Sequence, residues 1–172
     1  VEEALGDLPT ATEKENEQIA YLVQPQNDYQ RYVRRGTVVT EHNIPQMSEL
    51  DKYIVRHVKP GGNYLDIPTD VNSHRIKRLQ RDGGHTTCYG RLDPKKPSYT
   101  INTYFNRPNV GCNIHYCENR LITVREALRL QSFPDDYVLV SGSKQGRNLI
   151  VGNAVPPMLA GILARELKHY IE

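Results

Sequence analysis

The chain has little cysteine, no long apolar run and almost no net charge. Three cysteines among 172 residues cannot all pair, so a disulfide framework is not expected and a reducing, cytoplasmic setting is the default. No apolar run is long enough to cross a bilayer, and no signal-peptide pattern opens the sequence. A formal net charge of +2 does not by itself argue for a nucleic-acid partner, because the placement of charge matters more than its total. The apolar fraction of 38% is low but sufficient for a core, and the length suits one domain or two small lobes.

What is present is clearest between Arg120 and Pro157. Thr123 followed by Glu126 is a capping box, and Val124, Ala127, Leu128 and Leu130 give the short helix behind it an apolar side. FPDDY ends that helix, since Pro134 and the two aspartates favour a tight turn. Ile150 and Val151 read as a short buried run and Gly152-Asn153 as a turn. Pro156 and Pro157 suit the mouth of a last helix, which carries Leu159, Ile162, Leu163, Leu167 and Tyr170 on one side.

Upstream, Ser48 with Glu49 and Asp51 opens a helix whose Leu50, Tyr53, Ile54 and His57 share a face, and Lys59-Pro60-Gly61-Gly62 ends it. Residues Thr10 to Gln18 read as an exposed polar loop. Tyr29, Arg31, Tyr32, Arg34 and Arg35 mix aromatic and basic residues, open to a DNA contact or to a solvated helix face. The run HRIKRLQR is either a phosphate-binding stripe or an exposed amphipathic helix. Beyond it, CYGRL and YTINTYF alternate well enough for strands among loops. His85, Cys88, Cys112, His115 and Cys117 contain enough donors for a zinc ion, but their loose spacing favours buried thiols and ordinary loop histidines, so no metal is expected.

The wording LITVREALRLQSFPDDY followed by VGNAVPP resembles the ninth and tenth motifs of the C5 cytosine DNA methyltransferases. These enzymes move a methyl group from S-adenosylmethionine to carbon 5 of cytosine in DNA. YGRLDPKKPSYTI resembles wording in their variable target recognition domain, and VEEALGDLP resembles the words that follow their central motifs. His42, Pro60, Gly61, Gly62 and Pro68 fit a further outline of the family, and His115 stands in its Ile-His pair. Leu149 and Tyr116 depart from it, standing where many relatives have a polar residue and a proline.

The resemblance implies an α+β fold. It places a connecting segment at 1–20, a mixed recognition lobe of short strands, loops and flanking helices at 21–137, and the tenth motif with the C-terminal helix at 138–172. That last helix is expected to belong to the catalytic domain of the whole enzyme and to need a partner for its apolar side. Asn153, Ala154 and Val155 are the expected neighbours of S-adenosylmethionine, although Gly152-Asn153 is equally a simple turn. Arg125, Glu126, Arg129 and Gln131 are expected scaffold residues. Double-stranded DNA is the expected partner, which would place the protein at the bacterial nucleoid.

For DNA, Arg91 and Arg107 are the foremost candidates because arginine matches the two acceptors of guanine. Asn106 and Tyr89 lie in the same stretch, with Asn102 and Asn109 as weaker candidates, while Arg75, Lys77 and Arg78 suit phosphates. The family's chemistry also needs a Pro-Cys nucleophile, a Glu-Asn-Val triplet and a Gly-rich cofactor turn. Cys88, Cys112 and Cys117 follow Thr, Gly and Tyr, and Glu118-Asn119 is followed by Arg120. The chain therefore looks like the back part of a longer enzyme, inactive alone and partnered by the missing catalytic domain. A non-catalytic specificity subunit of a split enzyme is the alternative.

Overall fold

The computed structural model describes residues 1–15, 17–140 and 143–171. It is a mixed α+β arrangement in which helices predominate. The helices are α1 (Glu2–Leu5), α2 (Asp28–Val33), α3 (Glu49–His57), α4 (His74–Asp82), α5 (Val124–Leu130), α6 (Lys144–Asn153) and α7 (Pro157–Ile171). Two small sheets accompany them. β1 (Ile19–Ala20) pairs antiparallel with β2 (Val38–Val39), and β3 (Gly90–Arg91) pairs parallel with β4 (Cys112–Ile114).

Local chemistry explains the helix starts. Ser48 and Asp51 form a reciprocal capping box on α3, and Thr123 and Glu126 form another on α5, each satisfying orphan amides of the first turn. Asn27, Ser73 and Ser143 cap α2, α4 and α6 with their side-chain oxygens.

Two apolar clusters hold the elements together. One joins Ile54, Val55 and Val58 from the α3 region to Tyr64, Ile67, Val71, Ile76, Tyr89, Ile114 and Leu121. The other gathers Leu92, Ile101, Phe105, Cys112, Ile122, Ala127, Leu128, Leu139 and Val151. β4 belongs to both, through Ile114 and Cys112, and so ties the lobe around α3 and α4 to the α5–α6 pair. α1 packs on both α2 and α5, which joins the first residues of the chain to the helix that Thr123 opens.

Several sequence expectations need correction. YTINTYF forms turns and loop rather than a strand, and only Gly90–Arg91 of CYGRL pairs. Its β-forming residues instead send Ile101 and Phe105 into the second cluster. Leu50 and Tyr53 are exposed, and α3 packs through Ile54 and Val55. Ile150, Val151, Gly152 and Asn153 are the last turn of α6, and Ile150 is exposed. Gly152 serves packing rather than turning, since a Cβ there would lie 2.4 Å from the backbone nitrogen of Thr103.

Candidate nucleic-acid interface

The site stands on a frame of buried charges built around α5. Arg129, fully buried, donates to Asp7, to Asp135 and to the carbonyl of Ala4. It thus fixes α1 and the FPDDY turn against α5. Tyr21 donates to Asp135 and lies beneath the Arg34 guanidinium. Arg125 is fully buried without a carboxylate of its own. Its Nε donates to Thr40 O at 2.9 Å and one Nη to Tyr137 O at 2.9 Å. Gln131 donates to Val151 O at 2.8 Å, joining the end of α5 to α6.

A second network crosses the other end of α5. Arg120 makes two bonds to the Glu126 carboxylate, at 2.7 and 2.9 Å, and two more to Glu118. His42 bonds Pro9 O at 2.8 Å through Nε2 and Thr123 Oγ1 at 2.9 Å through Nδ1. A carbonyl only accepts, so Nε2 carries the proton and Nδ1 receives the threonine hydroxyl. His115 Nδ1 accepts the amide of Glu118 at 3.1 Å, which leaves its Nε2–H facing Glu126 at 3.5 Å. Both imidazoles are thereby set neutral. Burial, the largest effect, pushes both below their ordinary value. Burial opposes ionisation of Glu126, but its bonds to Arg120 outweigh that and hold it at about 2.

These shifts give stability a definite pH profile. The Glu126 contribution is whole above its unfolded value of 4.5 and is lost as pH falls from there through about 2. The two histidines, lowered from 6.5, act in the same direction and begin to cost stability as pH drops below that value. On the alkaline side, burial pushes Tyr29 from 10 up to about 12, so stability declines above 10. Cys112 acts likewise from a lower value, since burial pushes its thiol from 9 up to about 11, so chemical denaturation of the chain should show a plateau between roughly pH 6.5 and 9. Glu126→Gln should remove about 3 kcal/mol at neutral pH and flatten the limb below 4.5. An acid limb as steep in the variant as in the parent would contradict this assignment.

The DNA-binding candidates divide sharply by exposure. Arg75, Lys77 and Arg78 are exposed along α4, which is anchored through buried Ile76. Asn106 and Arg107 are exposed on the loop between Ile101 and β4. Asn102 and Asn113 hold that loop from within. Asn102 donates to Val110 O at 3.2 Å and accepts from the Tyr104 amide at 2.7 Å, while Asn113 donates to Arg107 O at 2.9 Å. The Arg107 guanidinium lies 5.3 Å from the centre of the exposed Tyr104 ring.

Arg91 and Tyr89 are placed otherwise. Arg91 is 3% exposed, and its donors go to the carbonyls of Val55, Val58, His115 and Glu118 and to Asn119 Oδ1. A fork so engaged has no donor left for a base edge. Its parallel ladder with β4 turns the side chain inward, which the sequence pattern did not reveal. Tyr89 is buried in the first apolar cluster with a positive φ of 54°, so it is core rather than groove wall. Glu118-Asn119, which lacks the valine of the family's triplet, serves here as acceptor for Arg91 and ion-pair partner for Arg120.

Asn153, Ala154 and Val155 close α6, with Asn153 and Val155 exposed. Beside them Ser98, Thr100, Gln131, Gly152 and Pro156 line a cleft of about 300 Å³ with no charged side chain. Such an edge can border a charged cofactor but offers nothing to pair with its charges. Among the described residues no group of three or more His, Cys, Asp or Glu is arranged to hold a metal. Among the described residues no helix is long and apolar enough to cross a membrane. α7 has no buried residue, and Leu159, Ile162, Leu163, Leu167 and Tyr170 are all exposed, so the apolar side does not fold back on the lobe.

Comparison with known proteins places this arrangement. The profile of a family described as C-5 cytosine-specific DNA methylase matches residues 1–169. "DNA (cytosine-5)-methyltransferase 1B" of Oryza sativa subsp. japonica is 30% identical over 190 residues, covering all of this chain and 12% of that protein. "Type II methyltransferase M.DdeI" of Desulfomicrobium norvegicum is 29% identical over 184 residues, covering all of this chain and 43% of that protein. "Putative type II methyltransferase M.OihORF3336P" of Oceanobacillus iheyensis is 29% identical over 206 residues, with 44% of its length covered. The chain thus spans less than half the length of each.

Proposed function

The chain belongs to the C-5 cytosine-specific DNA methylase family, and on that premise we propose that it is the DNA-recognition part of an enzyme that methylates cytosine in a specific sequence. S-adenosylmethionine supplies the methyl group to the whole enzyme. Residues 1–20 connect this part to the catalytic core, 21–137 form the target recognition domain, and 138–172 return to the core. Asn153, Ala154 and Val155 border the cofactor there. The missing catalytic domain is the natural partner for the apolar side of α7.

The observation that carries this proposal is the exposed pair Asn106 and Arg107 on a loop braced from behind by Asn102 and Asn113. A braced loop with a free guanidinium suits base reading, which needs a donor fork held in fixed register. The exposed cations of α4 suit phosphates, which hold DNA without reading it. Arg91 and Tyr89 drop out of the reading surface and join the frame. No cysteine follows a proline in the sequence, so the chain alone lacks the nucleophile for carbon 6 of a flipped cytosine.

The test is binding of the chain to cognate and singly substituted duplexes at several salt concentrations, with methyl transfer measured in parallel. Lys77→Ala and Arg78→Ala should weaken all duplexes alike and flatten the salt dependence by about one charge each. Arg107→Ala should cost roughly 1–3 kcal/mol on the cognate site and relax preference at one base pair. No methyl transfer should be seen. Uniform weakening by Arg107→Ala would sink the base-reading assignment, and methyl transfer by the chain alone would sink the division of labour.

A further inference from the structure

A cleft of about 160 Å³ opens between the segment before α3, the Asn106 loop and the first turns of α6. Four carboxamides converge on it, from Asn43, Gln46, Asn106 and Asn148. Asn148 is the unusual member. It is only 5% exposed, lines the cleft, and its side chain makes no hydrogen bond within the described residues. No sealed side-chain nitrogen or oxygen among the described residues lacks a partner, so the Asn148 carboxamide reaches the cleft itself, where a ligand can supply the partners that so nearly buried a group normally has. Gln46 and Asn106 are exposed and equally uncommitted. A space this large far exceeds the ~10–15 Å³ that a single water needs.

The charges select the ligand. Lys144 and Arg147 line the cleft, but Lys144 pairs with Glu15, and Arg147 meets Glu41 at 2.9 Å. With each cation matched by a carboxylate, the cleft favours a neutral group over a phosphate. Its floor is apolar, from Ile44, Phe105 and Val124. A flat neutral ligand with donors and acceptors around its edge, resting on an apolar floor, is a nucleobase.

We propose that this cleft takes the edge of a base in the DNA substrate, with Asn148 and Gln46 as specificity-determining residues beside Asn106. The proposal rests on the recognition role argued above and extends the reading surface to two segments outside the recognition loop. Carboxamides suit adenine in particular, through its N6 donor and N7 acceptor.

The experiment selects preferred sequences from a randomised duplex pool with the 172-residue chain, its Arg107→Ala variant, Asn148→Leu and Gln46→Ala. Asn148→Leu keeps the branched shape with somewhat more bulk toward the open cleft and removes a polar group without a protein partner, so its melting temperature should change little. It should lose preference at one base pair by roughly tenfold or more while keeping the preference that Arg107 sets. Gln46→Ala, an exposed change, should shift the same base pair and decides the matter if the leucine variant does not fold. Full retention of preference in both variants overturns the proposal. Absence of any sequence preference in the parent chain overturns the recognition role itself and this inference with it. Titration with adenosine separates the other source of a base, the cofactor: saturable binding that Asn148→Leu abolishes, with DNA preference unchanged, also overturns it.

Discussion

Arg129→Ala should destabilise the chain by roughly 3–5 kcal/mol, the cost typical of removing one partner from a buried ion pair. The side chains of Arg129, Asp7 and Asp135 are all fully buried. Deleting the cation leaves Asp7 with only the longer Arg34 contact at 3.7 Å and Asp135 with only the Tyr21 hydroxyl among its side-chain partners, together with the stranded carbonyl of Ala4. Total stabilities of 5–15 kcal/mol are usual, so a loss of this size takes a large share. At about 2–4 °C per kcal/mol for a chain of this length, the melting temperature should fall by roughly 6–20 °C. Arg129→Lys should recover only part of it, because an ammonium cannot span two carboxylates and a carbonyl with a rigid fork. The paired change Arg129→Met with Asp7→Leu should be milder than Arg129→Ala, since it removes one of the stranded charges. Thermal unfolding by circular dichroism measures all three. A loss below about 1 kcal/mol for Arg129→Ala would mean that water reaches the site and that the frame is not dry.

The same frame shows what a sequence reveals and what it hides. The Thr123–Glu126 capping box and the helix opening at Ser48 were legible because the partners lie three residues apart, within the reach of one helical turn, although the reciprocal box of Ser48 and Asp51 emerged only in the structure. The proline-led start of α7 was legible because a missing N–H costs little there, and the helix among the two readings left open for HRIKRLQR is the one that α4 takes. Arg91 was not, because its five acceptors lie on residues 55, 58, 115, 118 and 119. The fork that matches guanine also matches a cluster of backbone carbonyls, and only the tertiary structure decides between them. Gly152 misled as a turn signal because its lack of a side chain serves close packing on Asn102 and Thr103. YTINTYF misled because its β-formers were read for strand propensity, whereas burial of Ile101 and Phe105 set its course. Nothing local marks Asn148, whose place at the cleft is set only by the packing of α6.

Arg91→Ala and Arg107→Ala, similar as sequence changes, should therefore fail in opposite ways. Arg91→Ala strands the carbonyls of Val55 and Val58 at the end of α3, those of His115 and Glu118, and the Asn119 side chain. Each unpaired buried acceptor costs about 1–3 kcal/mol where water cannot replace the donor. With water reaching part of the vacated space, the net loss should be roughly 3–5 kcal/mol, near the upper end for single substitutions. Burial already pushes the Arg91 guanidinium below its ordinary range, yet no carboxylate pairs with it, so its hold comes from the dipoles of those acceptors. Arg91→Lys should recover little, having neither the planar fork nor its reach to five acceptors. Arg107 is exposed and meets only the Tyr104 ring, so Arg107→Ala should change stability by less than about 0.5 kcal/mol. Any DNA defect of Arg91→Ala should then follow its folded fraction and leave base preference unaltered, whereas Arg107→Ala should alter base preference in a fully folded chain. Urea titrations and duplex binding on the same samples give both quantities. A stable Arg91→Ala chain with altered base preference would return Arg91 to the reading surface and require the β3–β4 ladder to open on DNA.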